Sequence, residues 1–147
     1  MDNDDALSEI AWNLAARAHH GQLDKQGRGY FDNHLCPVAA LLRPYGAYVE
    51  AAGYLHDILE DTATRVGDLR RAGIPYEVTR AVIAVTRRPG EEYTDLIERA
   101  RLDPIGRLVK LADNWVNLTG LAGIEDEATR ERLRRKYVAA RERLEFK

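Results

Sequence analysis

The sequence predicts an all-α domain, a compact bundle of about seven to nine helices. Apolar residues recur at spacings of three and four along most of the chain, and helix start and stop signals separate these stretches. β-branched residues cluster only at Ala81–Val85, a run with no second strand to pair with, so helix is the stronger reading there. The 147 residues fit one domain, 1–147. With 45% hydrophobic and 31% charged residues, a packed core under a charged surface is expected. Lys plus Arg number 22 against 24 Asp plus Glu, a net charge of −2 that argues against a nucleic-acid or membrane-surface binder. The acidic start MDNDDALSEI lacks the basic and apolar regions of a secretory signal. No apolar run approaches the roughly 20 residues of a membrane span, so a cytoplasmic location is expected. The single cysteine, Cys36, excludes an internal disulfide and a multi-cysteine zinc site, and reads as a small core residue.

The elements follow in order. Leu7, Ile10, Leu14, Ala15 and Ala18 make one apolar face of a helix over residues 6–20. His19 and His20 end it, where histidine interacts favourably with the helix dipole. Residues 21–33, GQLDKQGRGYFDN, read as a loop. A helix is expected from Cys36 to Arg43, stopped by Pro44, and another over 47–59, carrying Val49, Ala52, Leu55 and Leu59. Asp68–Ala72 gives a short turn of helix, and Pro75 opens a helix with Val78, Val82 and Val85. Pro89–Gly90 breaks the chain before a helix over 92–101. Asp103 as N-cap and Pro104 at the first position open the next, with Leu108, Leu111 and Ala112. The last, over 126–145, carries Leu133, Tyr137, Ala140 and Leu144 on one stripe. Trp12 and Trp115 are expected in the core. Residues 130–143 hold seven Arg or Lys against two Glu, a solvated face with pairs such as Glu131–Arg135, or else a device that steers an anion.

Chemistry concentrates in GYLHDILEDT, residues 53–62. In a continuous helix, His56 and Glu60 are four apart, as are Asp57 and Asp61, so one end would carry an imidazole and three carboxylates. Clustered carboxylates raise each other's pKa unless a cation sits among them. On spacing alone two readings stand: a divalent-metal site, or a solvated acidic helix end with a histidine. Three other segments bear on the choice. His34 precedes an apolar helix in YFDNHLCPVAALL, and Asp113 interrupts an apolar helix in RLVKLADNWVNL, with Asn117 one turn on. Unpaired burial of such an aspartate is costly. Lys25 lies in the polar, Gly-rich loop.

AHHGQLDKQG, a histidine four residues before Val38–Ala39, LHDILEDT, TRRPGEEY and VKLAD with an asparagine four residues later occur in that order. This set resembles the HD superfamily of metal-dependent phosphohydrolases, and within it the hydrolase domain of Rel/Spo-type proteins and the small alarmone hydrolases, over residues 11–145. The resemblance implies a metal site of His34, His56, Asp57 and Asp113 holding Mn²⁺; by donor type Fe²⁺ or Zn²⁺ also suits. It implies that Glu60 and Asp61 orient or activate the attacking water, that Asn117 lies near a ribose, and that Lys25 meets phosphate. The substrate it implies is a polyanionic nucleotide, (p)ppGpp or its adenine analogue, cleaved to pyrophosphate and a nucleoside 5′-di- or triphosphate. No nucleic acid, membrane or obligate protein partner is implied.

Other assignments rest on the residues themselves. Arg87 and Arg88 read equally as phosphate contacts or as a solvated helix end, and Tyr137 as core or as a wall of the base pocket. Relatives often carry Arg-Lys where this chain has Asp24-Lys25, so base recognition is expected to be looser here. They also commonly read Arg-Leu-His-Asn where this chain has Asn114, Trp115, Val116 and Asn117. The alternative function is another HD phosphohydrolase acting on a nucleotide or a phosphorylated cofactor; a third is a binding module with little turnover.

Overall fold

Helix starts are set by short side-chain signals. The structure, a computed structural model, describes residues 2–145. Helix α1 (Asn3–Ala18) begins where the Asp2 carboxylate accepts from the Asp5 amide at 2.8 Å. The chain continues through α2 (Cys36–Leu42), α3 (Ala47–Leu55), α4 (Ile58–Asp61), α5 (Val66–Arg71), α6 (Tyr76–Val85) and α7 (Tyr93–Leu102). It closes with α8 (Pro104–Gly120) and α9 (Glu127–Glu145). The start of α8 is as expected: Asp103 accepts from the amides of Ile105 and Gly106 at 3.1 and 2.7 Å, and Pro104 occupies the first turn. Ala81–Val85 is helical, with Val82 and Val85 buried. The fold is all-α, and no described helix is long and apolar enough to cross a membrane.

Helix α3 is the hub, with α1, α2, α6 and α8 packed around it. Its Ala51, Ala52, Gly53 and Leu55 are buried, and small residues let the neighbours approach. At Gly53 the approach is closest: a Cβ there would lie 2.8 Å from Leu42 Cδ1 and 3.1 Å from the Ala39 Cα. Leu35, Leu42, Leu55, Ile58 and Leu69 fill the core around this contact. Each such burial contributes roughly 1.5–3 kcal/mol.

The structure departs from the expected elements in four places. The predicted helix over 47–59 breaks at His56–Asp57, where Asp57 adopts φ −105° and ψ 3° before α4 resumes. The predicted loop over 21–33 is partly ordered: Leu23 and Gly29 form an isolated antiparallel bridge, and a π-helical turn (Phe31–Leu35) leads into α2. In that turn the Cys36 amide bonds to the Phe31 carbonyl, five residues back. Trp12 and Trp115 are not core residues, being 45% and 51% exposed. The buried stripe of α1 runs through Leu7, Ala11 and Ala15, leaving Trp12 to pack edge-on against Phe31. Trp115 lies two residues past buried Asp113, about 200° around α8 and so on the far side. On α9, Glu131 pairs with Arg134 at 3.5 Å rather than with Arg135. Both are exposed, so the pair adds little stability.

Candidate metal centre and catalytic cleft

Both departures from regular helix deliver metal-type donors. The π turn widens the backbone by one residue and turns His34 inward beside buried Leu35. The break after α3 presents His56 and Asp57 together, and Asp113 comes from the buried side of α8. The Nε2 atoms of His34 and His56 are 3.3 Å apart. Asp57 Oδ2 lies 3.1 Å from His56 Nε2 and 3.9 Å from His34 Nε2. Asp113 Oδ1 lies 2.9 Å from His34 Nε2 and 3.5 Å from His56 Nε2. Donors around an ion at about 2.1 Å stand roughly 3.0–3.4 Å from one another. His56 Nδ1 donates to the Gly53 carbonyl at 2.7 Å, which turns the Nε2 lone pair towards the cluster. His34, His56 and Asp57 bring one donor atom each within 4.8 Å of one another, a group that could hold a divalent ion, and Asp113 stands beside both imidazoles.

The surroundings hold these donors in place. The Tyr30 hydroxyl donates to Asp57 Oδ2, and the Tyr30 ring stacks on His34 with centroids 4.9 Å apart. Lys110 Nζ donates to Asp113 Oδ2 at 2.8 Å, and Asn117 Nδ2 to Asp113 Oδ1 at 3.3 Å. Burial works against charge on His56, but Asp57 and Asp113 outweigh it and lift the imidazole well above its ordinary pKa. Burial likewise opposes charge on Asp57, and the His56 imidazole overrides it, bringing the carboxyl down to about 2. A cation bound at these donors would compete with protons for them.

Glu60 and Asp61 open onto the same cleft, each held by one donor. The Arg87 amide donates to Glu60 Oε1 at 2.8 Å, and Gln22 Nε2 to Asp61 Oδ2 at 3.2 Å. Burial and the Asp57 and Asp61 carboxylates raise the Glu60 pKa against the pull of that amide. Burial and Asp57 raise that of Asp61. The loop that offers the Arg87 amide is itself tied down by Arg99. Its guanidinium pairs with Glu91 at 2.6 Å and reaches the carbonyls of Ile83, Ala84 and Thr86.

The cleft has a volume of about 930 Å³. The donors His34 and Asp57 lie along it with Glu60, Asp61, Lys25, Asn117 and Tyr137. Arg87 and Arg88 are exposed, and neither lines the cleft; the Arg87 side chain donates to the Glu91 carbonyl at 2.9 Å. Burial and the nearby charges of Lys110, Lys25, Arg87 and Arg132 depress the pKa of Lys136, whose ammonium stands over the ring of the cleft residue Tyr137.

Several residues were not singled out from sequence. Asp24 does not leave the wall without a guanidinium. Its Oδ1 accepts from the amides of Gln26 and Arg28, and its Oδ2 from Arg28 Nε at 3.0 Å, which sets Arg28 on the cleft wall. Tyr30 and Lys110 stood inside quoted motifs, yet nothing in their spacing tied them to Asp57 and Asp113. His19 ends α1 as its C-cap, as expected, and is buried, whereas His20 is exposed.

No family model matches the chain. It is 32% identical over 137 residues to a GTP pyrophosphokinase of Streptomyces coelicolor, covering 86% of this chain and 16% of that protein. A solved structure, described as a metazoan ortholog of SpoT that hydrolyses ppGpp and plays a role in starvation responses, superposes with a TM-score of 0.76. It shares 26% identity, with 95% of this chain and 83% of that one covered. The fold, the ordered motifs and these relatives agree, and the chain is similar to the Rel/Spo-type proteins.

Proposed function

We propose that the chain hydrolyses the 3′-diphosphate of an alarmone nucleotide, (p)ppGpp or its adenine analogue, with Mn²⁺ as its resident ion. What carries the reading is one juxtaposition: a cluster of metal-type donors opens through His34 and Asp57 onto a cleft that also holds two further carboxylates, Glu60 and Asp61, and two cations, Lys25 and Arg28. The likeness to a ppGpp-hydrolysing structure supports it. His34, His56, Asp57 and Asp113 would hold the ion. Such an ion lowers the pKa of a water and offsets phosphoryl charge.

The chain's own groups do the rest. Glu60, fixed by the Arg87 amide, and Asp61, fixed by Gln22, are the carboxylates available to take the water's proton. The water oxygen bonds to the phosphorus borne on the ribose 3′-oxygen. The P–O3′ bond breaks, the nucleoside keeps its oxygen and gains a proton, and pyrophosphate leaves. Lys25 and Lys136 are suited to the phosphates by charge, and Arg28 offers a planar guanidinium to the base. The reading places the activity in the cytoplasm.

The test is a substrate panel for Mn²⁺-loaded protein: guanine and adenine 3′-diphosphates beside 5′-mononucleotides and NADPH. Pyrophosphate from the 3′-diphosphates alone is the expected result. Orthophosphate from mononucleotides or NADPH, with the alarmones untouched, would give the site to another phosphohydrolase reaction. Metal binding without turnover of any member would make the domain a binding module.

A further inference from the structure

The reaction so described leaves His19 without a task, although its ring is only 2% exposed. His19 caps the C-terminus of α1, and the Gln22 amide donates to the His19 carbonyl at 3.0 Å, which folds Gln22 back over the ring. His19 Nδ1 then lies 2.7 Å from Gln22 Oε1, while His19 Nε2 is buried with no hydrogen-bond partner among the described residues. From the other end of the same amide, Nε2 reaches Asp61 Oδ2 at 3.2 Å. A chain of imidazole, amide and carboxylate thus links α1 to α4.

The chemistry of each group gives the chain a direction. An amide oxygen only accepts, so His19 Nδ1 carries the proton and donates it to Gln22. At His19 Nε2 a lone pair is the favoured state, because a buried orphan acceptor is tolerated better than a buried orphan N–H. With its oxygen held by His19, the amide must turn its NH₂ towards Asp61. The flipped amide would set oxygen against the Asp61 carboxylate and NH₂ against Nδ1–H, two repulsive contacts in place of two bonds. A leucine at position 19 would fill the same space and leave both orientations open.

We propose that His19 and Gln22 are positioning residues for Asp61, with His19 acting only through Gln22 by fixing the amide's orientation. The inference rests on the reading in which Asp61 helps to activate water. The test uses the full chain loaded with Mn²⁺ and reads kcat and KM for pyrophosphate release from ppGpp, together with bound metal. Gln22→Leu and His19→Leu should each lower kcat by about tenfold or more, the scale of losing an outer-shell partner, with KM and metal content unchanged. His19→Asn, whose amide nitrogen stands where Nδ1 stood, should restore most of the rate. The double variant His19→Leu/Gln22→Leu should be no slower than Gln22→Leu alone. Wild-type kcat in His19→Leu, multiplicative loss in the double variant, or no rescue by asparagine would overturn the proposal. A readout independent of turnover is the ¹⁵N spectrum of the His19 ring in the wild-type protein, which should show the neutral Nδ1–H tautomer. An Nε2–H tautomer would refute the chain even in an active enzyme. The expected tautomer in a protein inactive on ppGpp would instead sink the functional reading alone.

Discussion

Gly53→Ala sets helix propensity against packing and links the core to the metal donors. Alanine in place of glycine within a helix is worth about 1 kcal/mol in its favour. At this position the new Cβ would stand 3.1 Å from the Ala39 Cα and 2.8 Å from Leu42 Cδ1. Leu42 can rotate its methyl away, but the α2 backbone at Ala39 has no such freedom, so the two helices must separate. Overpacking of this kind costs roughly 1–3 kcal/mol, which leaves a net loss of about 0–2 kcal/mol once the propensity gain is subtracted. For a chain of this size that is a fall in Tm of up to about 8 °C. The separation reaches the site by two routes: the Gly53 carbonyl holds His56 Nδ1, and α2 follows directly on the turn that carries His34. Thermal unfolding with and without Mn²⁺, joined to calorimetric metal titration, should show a lower Tm and weaker binding. A variant that gains the full helix-propensity stabilisation and binds Mn²⁺ as the wild type does would refute this account of the α2–α3 contact.

Glu60→Gln keeps shape and removes a proton acceptor, so turnover should fall by about 10²–10⁴ while metal content holds; loss of metal would make Glu60 a ligand. Metal binding must displace the proton that Asp57 and Asp113 favour on His56, so affinity measured by titration should fall as pH is lowered, with proton release in calorimetry. Hydrogen bonds from Arg99 hold the Glu91 carboxyl at about 2, below its ordinary 4.5. The folded pKa is the lower one, so this pair's stabilisation is present above pH 4.5 and is lost as the pH falls towards 2. Acid unfolding of Glu91→Gln should accordingly lose part of its pH dependence in that window, and an unchanged profile would refute the pairing.

The candidate ligands were legible because each stands in a local pattern: His56–Asp57 within LHDILEDT, Asp113 inside an apolar stripe, His34 ahead of Val38–Ala39. Helix starts at Asp103–Pro104 and Pro75 were legible for the same reason, since capping is settled within a few residues. The break at His56–Asp57 was not, because nothing in the periodicity of residues 47–59 marks it. The π turn at Phe31–Leu35 lacked any local marker as well. Trp12 and Trp115 were misplaced because hydrophobicity alone does not say which side of a helix the neighbours cover. Arg28 was not singled out because its link to Asp24 is a pairing across a turn, which the replaced cation alone does not signal. The link from His19 through Gln22 to Asp61 depends on a bond between Gln22 and Asp61, 39 positions apart, and leaves no trace in spacing.

The central claim concerns which bond this site cleaves, and isotope placement tests it most directly. Mn²⁺-loaded protein is given ppGpp in H₂¹⁸O, and the products are read by ³¹P NMR and mass spectrometry. The account predicts one ¹⁸O in pyrophosphate and none in the nucleoside 5′-diphosphate, because water attacks the phosphorus on the ribose 3′-oxygen and that oxygen departs with the sugar. Label in the nucleoside, or orthophosphate in place of pyrophosphate, would contradict it.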